Sequence, residues 1–321
     1  MTHKQHYNIY IASCSSDGGI YHYKLMPDGR MEYASFVAMD RPMYMTLANN
    51  KMYILLRDPF ESSESGLVTY DIDCDGNFMN LSKILSTKGE VACHLCVDKD
   101  IVYCVNYISG SVIKMPDLLV KHIGEGENPI RQDKAHTHFV GLTPDKNFLC
   151  VTDLGLDTVF LYDKNLKPIS SARVPTGHGA RHLVFSDDSN YMFVANELKS
   201  TVSSFTYKGG FLKLIDTKSC LPTDFTGEST ASAIRFLDNR VYVSNRGHNS
   251  ISVFEHKNGI LDLKGVYPCH GEFPRDFDII GDFVVTTNEK GNSISVLNRE
   301  NMRLVYQQKN IKSPVCVAWS L

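Results

Sequence analysis

One five-residue pattern recurs seven times along the chain: IYIAS at 9–13, MYILL at 52–56, VYCVN at 102–106, LCVTD at 149–153, MFVAN at 192–196, VYVSN at 241–245 and VVTTN at 284–288. The second residues of these copies fall at 10, 53, 103, 150, 193, 242 and 285, so the steps between them are 43, 50, 47, 43, 49 and 43. A period of this size implies one supersecondary unit per repeat, each burying its apolar face against the next. Five of the seven copies end in Asn or Asp, residues suited to leaving a strand into a turn.

A second β-type segment follows each copy: GIYHYKL at 19–25, GLVTYDI at 66–72, GSVIKMP at 110–116, DTVFLYD at 157–163, STVSSFT at 200–206, NSISVFE at 249–255 and NSISVLN at 292–298. In the last five repeats this segment begins four residues after the terminal Asn or Asp, a constant spacing that predicts a hairpin. Turn-rich stretches such as MPDGR at 26–30, DCDGN at 73–77, YKGG at 207–210 and HKNG at 256–259 lead into a further short strand. No segment sustains a 3.6-residue apolar period. The fold class expected is therefore all-β. Seven units of about 46 residues with four strands each fit a seven-bladed β-propeller better than a sandwich, whose domains run near ~100 residues. A short segment that would form the innermost strand precedes each copy, except the first at residue 9, where there is no room. SPVCVAWSL at 313–321 has the right length to supply it, so the carboxyl-terminal strand is expected to join the first blade and close the ring. Residues 1–321 then form a single propeller domain with no linker.

Composition narrows the function classes. Lys and Arg number 33 against 36 Asp and Glu, a net charge of −3, which removes the main electrostatic reason to bind nucleic acid or an anionic membrane. No apolar run approaches the roughly 18 residues of a membrane helix, and MTHKQHYNIY has no signal-like start. Nine irregularly spaced cysteines argue against a disulfide framework. These features predict a cytoplasmic protein with reduced thiols, acting on a small molecule as a monomer or weak homo-oligomer.

Candidate chemistry lies at the starts of the inner strands, which face one mouth of a propeller's channel, and at the strand-end turns. RPMYMT at 41–46 and VACHLC at 91–96 offer little, whereas HTHF at 136–139, GHGARH at 177–182, ASAIR at 231–235 and FPRDF at 273–277 concentrate imidazole and cationic groups. NEL at 196–198 and NRG at 245–247 add Glu197 and Arg246, with Asn196 and Asn245 at the strand ends. His136 and His138 are two apart and share a strand face. With His178 or His182 they have the elements of a metal site, but without a matching carboxylate or thiolate a hydrogen-bonded lining is the better reading. A histidine near its ordinary pKa of ~6.5 is suited to acid–base work. Arg181, Arg246 and Arg275 converging on one mouth would bind a carboxylate or phosphate and stabilise an oxyanion. Taken singly, each arginine is expected to pair with an acid such as Asp276 or Glu228. Glu197 is expected to orient a histidine, activate water or neutralise Arg181. Cys93 and Cys96 form a lone CxxC whose thiols fall on opposite strand faces, so neither redox nor zinc chemistry is expected there. No GxSxG, GxGxxG or GxxxxGK[ST] motif is present. The single tryptophan, Trp319, leaves no recurrent Trp-Asp dipeptide of the scaffold propellers.

HTHFVGLTPDKNFLCVTDLGLDTVFLYD, GHGARHLVFSDDSNYMFVANELKSTVSSF, SNRGHNSISVF and FPRDFDI, in this order and spacing, resemble the lactonase family of seven-bladed propellers. That family includes cycloisomerase-2-type 6-phosphogluconolactonases and carboxymuconate-lactonizing enzymes. The resemblance spans essentially the whole chain and is strongest from His136 to Val296. It implies hydrolysis of a sugar-acid lactone such as 6-phosphogluconolactone, with no metal and no cofactor. It places His138, Arg181, Glu197 and Arg246 at the proposed active-site positions, with His136, His182 and Arg275 lining the same mouth. In that scheme His138, oriented by Glu197, moves the proton while the arginines hold the anionic lactone. Relatives often carry an acid where this chain has Ala233, and the first three repeats match only in strand pattern. A muconate-type cycloisomerase and a non-catalytic binding propeller are the alternatives.

Overall fold

The structure, a computed structural model, describes residues 6–321. These residues form strands and turns with no helix, and the strands assemble into seven antiparallel sheets. Two compact units emerge: blades 1, 2 and 7, from residues up to Ser86 together with Pro268–Leu321, and blades 3 to 6, within Thr87–Tyr267. The whole is the seven-bladed β-propeller that the repeat requires.

In the first unit, blade 1 runs Pro314–Ser320, Tyr7–Ser13, Gly19–Leu25, Met31–Ala38 in spatial order. The carboxyl-terminal strand does supply the missing first strand, with Ile9 opposite Trp319 and Ile11 opposite Val317. Its Val315, Cys316 and Val317 are buried. Blade 2 is built on Pro42–Ala48, Lys51–Leu56 and Gly66–Ile72. Its outer strand is split into two short pieces, Phe78–Met79 and Leu85–Ser86, both paired with Gly66–Ile72. Blade 7 is Pro274–Ile280, Phe283–Asn288, Ser293–Asn298 and Leu304–Lys309.

In the second unit the first and second strands of each blade are Ala92–Asp98 and Ile101–Asn106, Thr137–Leu142 and Leu149–Asp153, Ala180–Phe185 and Tyr191–Asn196, and Thr230–Leu237 and Arg240–Arg246. Strand side chains alternate between faces, and each face of a blade packs on a neighbouring blade. Met192 and Val194 therefore join one buried cluster, with Val159, Leu161 and Leu183, while Phe193 and Ala195 join another, with Ile234, Val243 and Phe254. A second strand buried on both faces needs apolar residues at nearly every position, which is why MFVA and VYV read as continuous runs. Each fully buried side chain of this size stabilises the fold by about 1.5–3 kcal/mol.

The hairpin spacing has a common cause. The residue four after the terminal Asn or Asp is left-handed in all five repeats: Gly110 (φ 57°), Asp157 (53°), Ser200 (47°), Asn249 (58°) and Asn292 (47°). Such a residue leaves the ladder, so the third strands begin one position later than the pattern implied, at Ser111, Thr158, Thr201, Ser250 and Ser293. The asparagine amides tie these turns. Asn196 Nδ2 donates to Thr201 Oγ1 (3.0 Å) and Ser203 Oγ (2.9 Å), Asn245 to Ser250 (3.0 Å) and Ser252 (2.7 Å), and Asn288 to Ser293 (3.2 Å) and Ser295 (3.0 Å).

Candidate functional site

Every blade carries a register shift where its first strand meets the end of its second. One extra residue is inserted, and such a bulge re-aims its side chain. In blades 3, 4 and 5 the inserted residues are Cys93, His138 and Arg181, and blade 6 has Ser232 at the same place. In the other unit Val315, Met43 and Arg275 occupy it. Two of the four predicted catalytic residues are thus bulge residues, and Cys93 shares their position.

Glu197, the first residue of the blade 5 turn, is the hub. Its backbone N–H donates to Gly179 O (2.8 Å), and Leu198 N–H to His178 O (2.9 Å), which fastens the turn to the 177–179 loop. Gly177 and Gly179 have φ of 76° and 73°, and their N–H groups donate to the two oxygens of Asp157 at 2.7 and 2.6 Å. Glycine is needed at both because that backbone is left-handed. The pinned loop leads directly into Arg181.

Three guanidinium groups converge on the buried Glu197 carboxylate. Arg181 Nε lies 3.0 Å and Arg246 Nη2 2.9 Å from Oε2, and Arg131 Nη2 lies 2.6 Å from Oε1. Burial works to raise this carboxyl, and the charges of Arg246 and Arg181 first, with Arg131, outweigh it, holding Glu197 well below the usual carboxylate range. A carboxyl so held is an anion at neutral pH and takes up no proton there. Its place among the arginines makes it their organiser, and of the roles expected for it the neutralisation of Arg181 is the one these ion pairs display. Three guanidinium charges on one carboxylate leave the cluster two positive charges in excess, the complement of an anionic ligand.

Arg131 went unnoticed in the sequence. It lies in the irregular connection between blades 3 and 4, held by Asn128 Oδ1, which accepts the N–H groups of Ile130 and Arg131, and by Gln132 Nε2, which donates to Leu154 O (2.9 Å). Its Nη2 also donates to Tyr107 Oη (3.2 Å). The Tyr107 ring in turn meets His138 edge-on at 5.5 Å and stacks on His136 at 4.5 Å.

His138 is buried beside Cys93, whose Sγ is 3.8 Å from His138 Nδ1. Its ring packs against His182 at 5.2 Å. His182 in turn meets His94, a residue passed over in the sequence, at 5.1 Å. Burial, with the charges of Arg181 and Arg235, holds His182 well below the usual imidazole range.

Other candidates are spent elsewhere. Both ring nitrogens of His136 are engaged, Nδ1 with Tyr107 O and Nε2 with Asp133 Oδ1, each at 3.0 Å, so it braces the 133–136 loop instead of presenting a nitrogen to substrate. Asn196 and Asn245 donate within their own hairpins through Nδ2, as Asn288 does, and the Oδ1 of each has no hydrogen-bond partner among the described residues. His178 Nδ1 lies 2.9 Å from Thr201 Oγ1. Arg275 belongs to the other unit, where it pairs with Glu289 at 3.1 Å. Arg275 and Arg246 pair with Glu289 and Glu197 where Asp276 or Glu228 was expected, whereas the expected neutralisation of Arg181 by Glu197 is present. Ala233 is fully buried and its N–H donates to Ser244 Oγ (3.0 Å). Among the described residues no group of three or more His, Cys, Asp or Glu is placed to hold a metal ion. All nine cysteines are free thiols, Cys93 and Cys96 included.

Residues 8–319 match the family described as lactonase, 7-bladed β-propeller. The chain belongs to that family. An uncharacterized protein of Staphylococcus epidermidis is 29% identical to this lactonase-family propeller over 313 residues, covering 89% of this chain and 90% of the relative. A structure from Lactobacillus plantarum is 29% identical, with a TM-score of 0.90 over 99% of this chain and 100% of its own. The periplasmic gluconolactonase of Pseudomonas aeruginosa is 22% identical with a TM-score of 0.88, over 99% of each chain, and shows the same fold.

Proposed function

We propose that this propeller hydrolyses an anionic sugar-acid lactone, 6-phosphogluconolactone being the substrate that its site fits best. The observation that carries this reading is the arginine cluster on Glu197, with its excess of two positive charges, set beside His138. Membership of the lactonase family and the likeness to a gluconolactonase fold support the reaction class.

In this reading the arginines bind the substrate's anionic group and stabilise the oxyanion that forms on the lactone carbonyl. His138 accepts a proton from water as its oxygen attacks the carbonyl carbon. The tetrahedral intermediate then collapses with cleavage of the ring C–O bond, and the proton on His138 passes to the departing ring oxygen. Glu197 stays ionised throughout and fixes the three arginines. Lactone opening is intrinsically easy, so ~10²–10⁴ from acid–base catalysis and a few kcal/mol of oxyanion stabilisation suffice. The test is acid release from 6-phosphogluconolactone in a pH-stat with EDTA present and spontaneous hydrolysis subtracted. Wild type is expected well above background and His138→Ala lower by at least about 100-fold. Wild type at background overturns the substrate, and full activity in His138→Ala overturns the role of the histidine.

A further inference from the structure

A second set of side chains lies next to the arginine cluster and has a different chemistry. One residue past the bulge, the first strands of blades 3, 4 and 5 carry His94, Phe139 and His182. The three rings touch: His94 to Phe139 at 4.3 Å, His94 to His182 at 5.1 Å and Phe139 to His182 at 5.8 Å. His182 also abuts His138. Both histidines are only 6% exposed, and His182 Nε2 has no hydrogen-bond partner among the described residues. A buried polar atom left in that state costs free energy unless a ligand or water completes it.

The chemistry of the missing partner follows from these surroundings. Burial first, and then the charges of Arg235 and Arg181, hold both imidazoles well below their usual range, so both are neutral. A neutral imidazole offers one donor and one acceptor. At His94 the Val140 N–H points to Nδ1 at 3.5 Å, which makes Nδ1 the acceptor and leaves the proton on Nε2. His182 Nε2 is a donor or an acceptor according to the tautomer, and a hydroxyl completes it in either case, whereas a carboxylate only accepts. The Phe139 ring adds an apolar surface for the carbon face of a sugar.

We propose that His94, Phe139 and His182 form a hydroxyl-selective subsite that receives the polyol part of the ligand, while the arginines on Glu197 take its anionic group. This rests on the reading of the site as one for anionic aldonates, and it assigns the specificity for hydroxylated over plain acyl chains to His182, with His94 and Phe139 packed beside it.

Calorimetric binding of 6-phosphogluconate and of 6-phosphohexanoate, which keeps both anionic ends and lacks the hydroxyls, tests it without turnover. Wild type is expected to bind the hydroxylated compound about ten-fold tighter or more, the scale of one buried polar group left unpaired. In His182→Leu the ratio falls to about two-fold or less with 6-phosphohexanoate affinity unchanged, and His182→Gln, which keeps a donor and an acceptor, retains most of it. Equal binding of the two compounds by wild type overturns the subsite and leaves the anion site standing, and this comparison needs no variant to fold. An undiminished ratio in His182→Leu overturns it as well. Binding of neither compound overturns the aldonate reading itself and the subsite with it.

Discussion

Replacing Glu197 by Gln removes one charge and almost no volume, and it tests whether this carboxylate holds the cluster together. Two of its three partners are as buried as it is, with side-chain exposures of 3% for Arg181 and 7% for Arg246, against 4% for Glu197. The third, Arg131, is 40% exposed and contributes little once solvent screening is counted. Glutamine turns one acceptor oxygen into an N–H donor aimed at guanidinium donors and removes the carboxylate charge that two buried cations share. Breaking a buried pair on one side costs about 3–5 kcal/mol, which at an m value near 3 kcal/mol/M moves a urea midpoint by about 1–1.7 M. The sign with pH is fixed by the depressed native pKa. The wild-type advantage is complete above the unfolded-state Glu pKa of about 4.3 and is lost as the pH falls through the lower native value. Urea titrations followed by circular dichroism at pH 7 and through the acid range measure both. A midpoint shift under about 0.3 M at pH 7, or a gap that widens on acidification, refutes the reasoning.

Arg131→Ala removes the most exposed guanidinium of the cluster and leaves the buried pairs intact. It is expected to raise KM for the phosphorylated lactone about ten-fold with kcat within about three-fold, read from steady-state acid release. Deleting residues 313–321 strips the first strand from blade 1 and uncovers Ile9, Ile11 and Ala12. A thermal melt by circular dichroism is expected to drop by more than about 10 °C or lose cooperativity, since several buried side chains at about 1.5–3 kcal/mol each go with the strand.

The fold was legible because a second strand buried on both faces must repeat its apolar run, and seven copies make the period plain. Blade 2 departs where its outer strand is split, just after Met79, at Asn80, whose backbone is left-handed (φ 43°). At the site, His138, Arg181, Glu197 and Arg246 were legible as chemical groups set at strand starts and turns. Their division of labour was not, because it depends on the third arginine. Arg131 sits in an irregular connection with no counterpart in the other repeats, so periodicity is silent about it. For Asn196 and Asn245 a signal of the hairpin tie existed: each is followed by hydroxyl residues five and seven positions later, Thr201 and Ser203, Ser250 and Ser252, as Asn288 is by Ser293 and Ser295. A pattern shared by three blades marks a structural tie, since a substrate contact has no reason to recur around a ring.

The same logic separates scaffold from chemistry at the bulge. The inserted residue is a feature of the backbone, present in all seven blades, but the side chain there varies from Val315 and Met43 to Cys93, His138, Arg181, Ser232 and Arg275. A position whose geometry is repeated and whose residue is not can change chemistry from blade to blade while its side chain stays buried: Val315 and Cys93 pack in apolar clusters, whereas His138 and Arg181 join the polar site. In the second unit three consecutive blades fill it with a thiol, an imidazole and a guanidinium, and the next blade supplies Arg246 from its second strand. The site is therefore built from one backbone irregularity used repeatedly, with Glu197 as a counter-charge shared by two buried arginines.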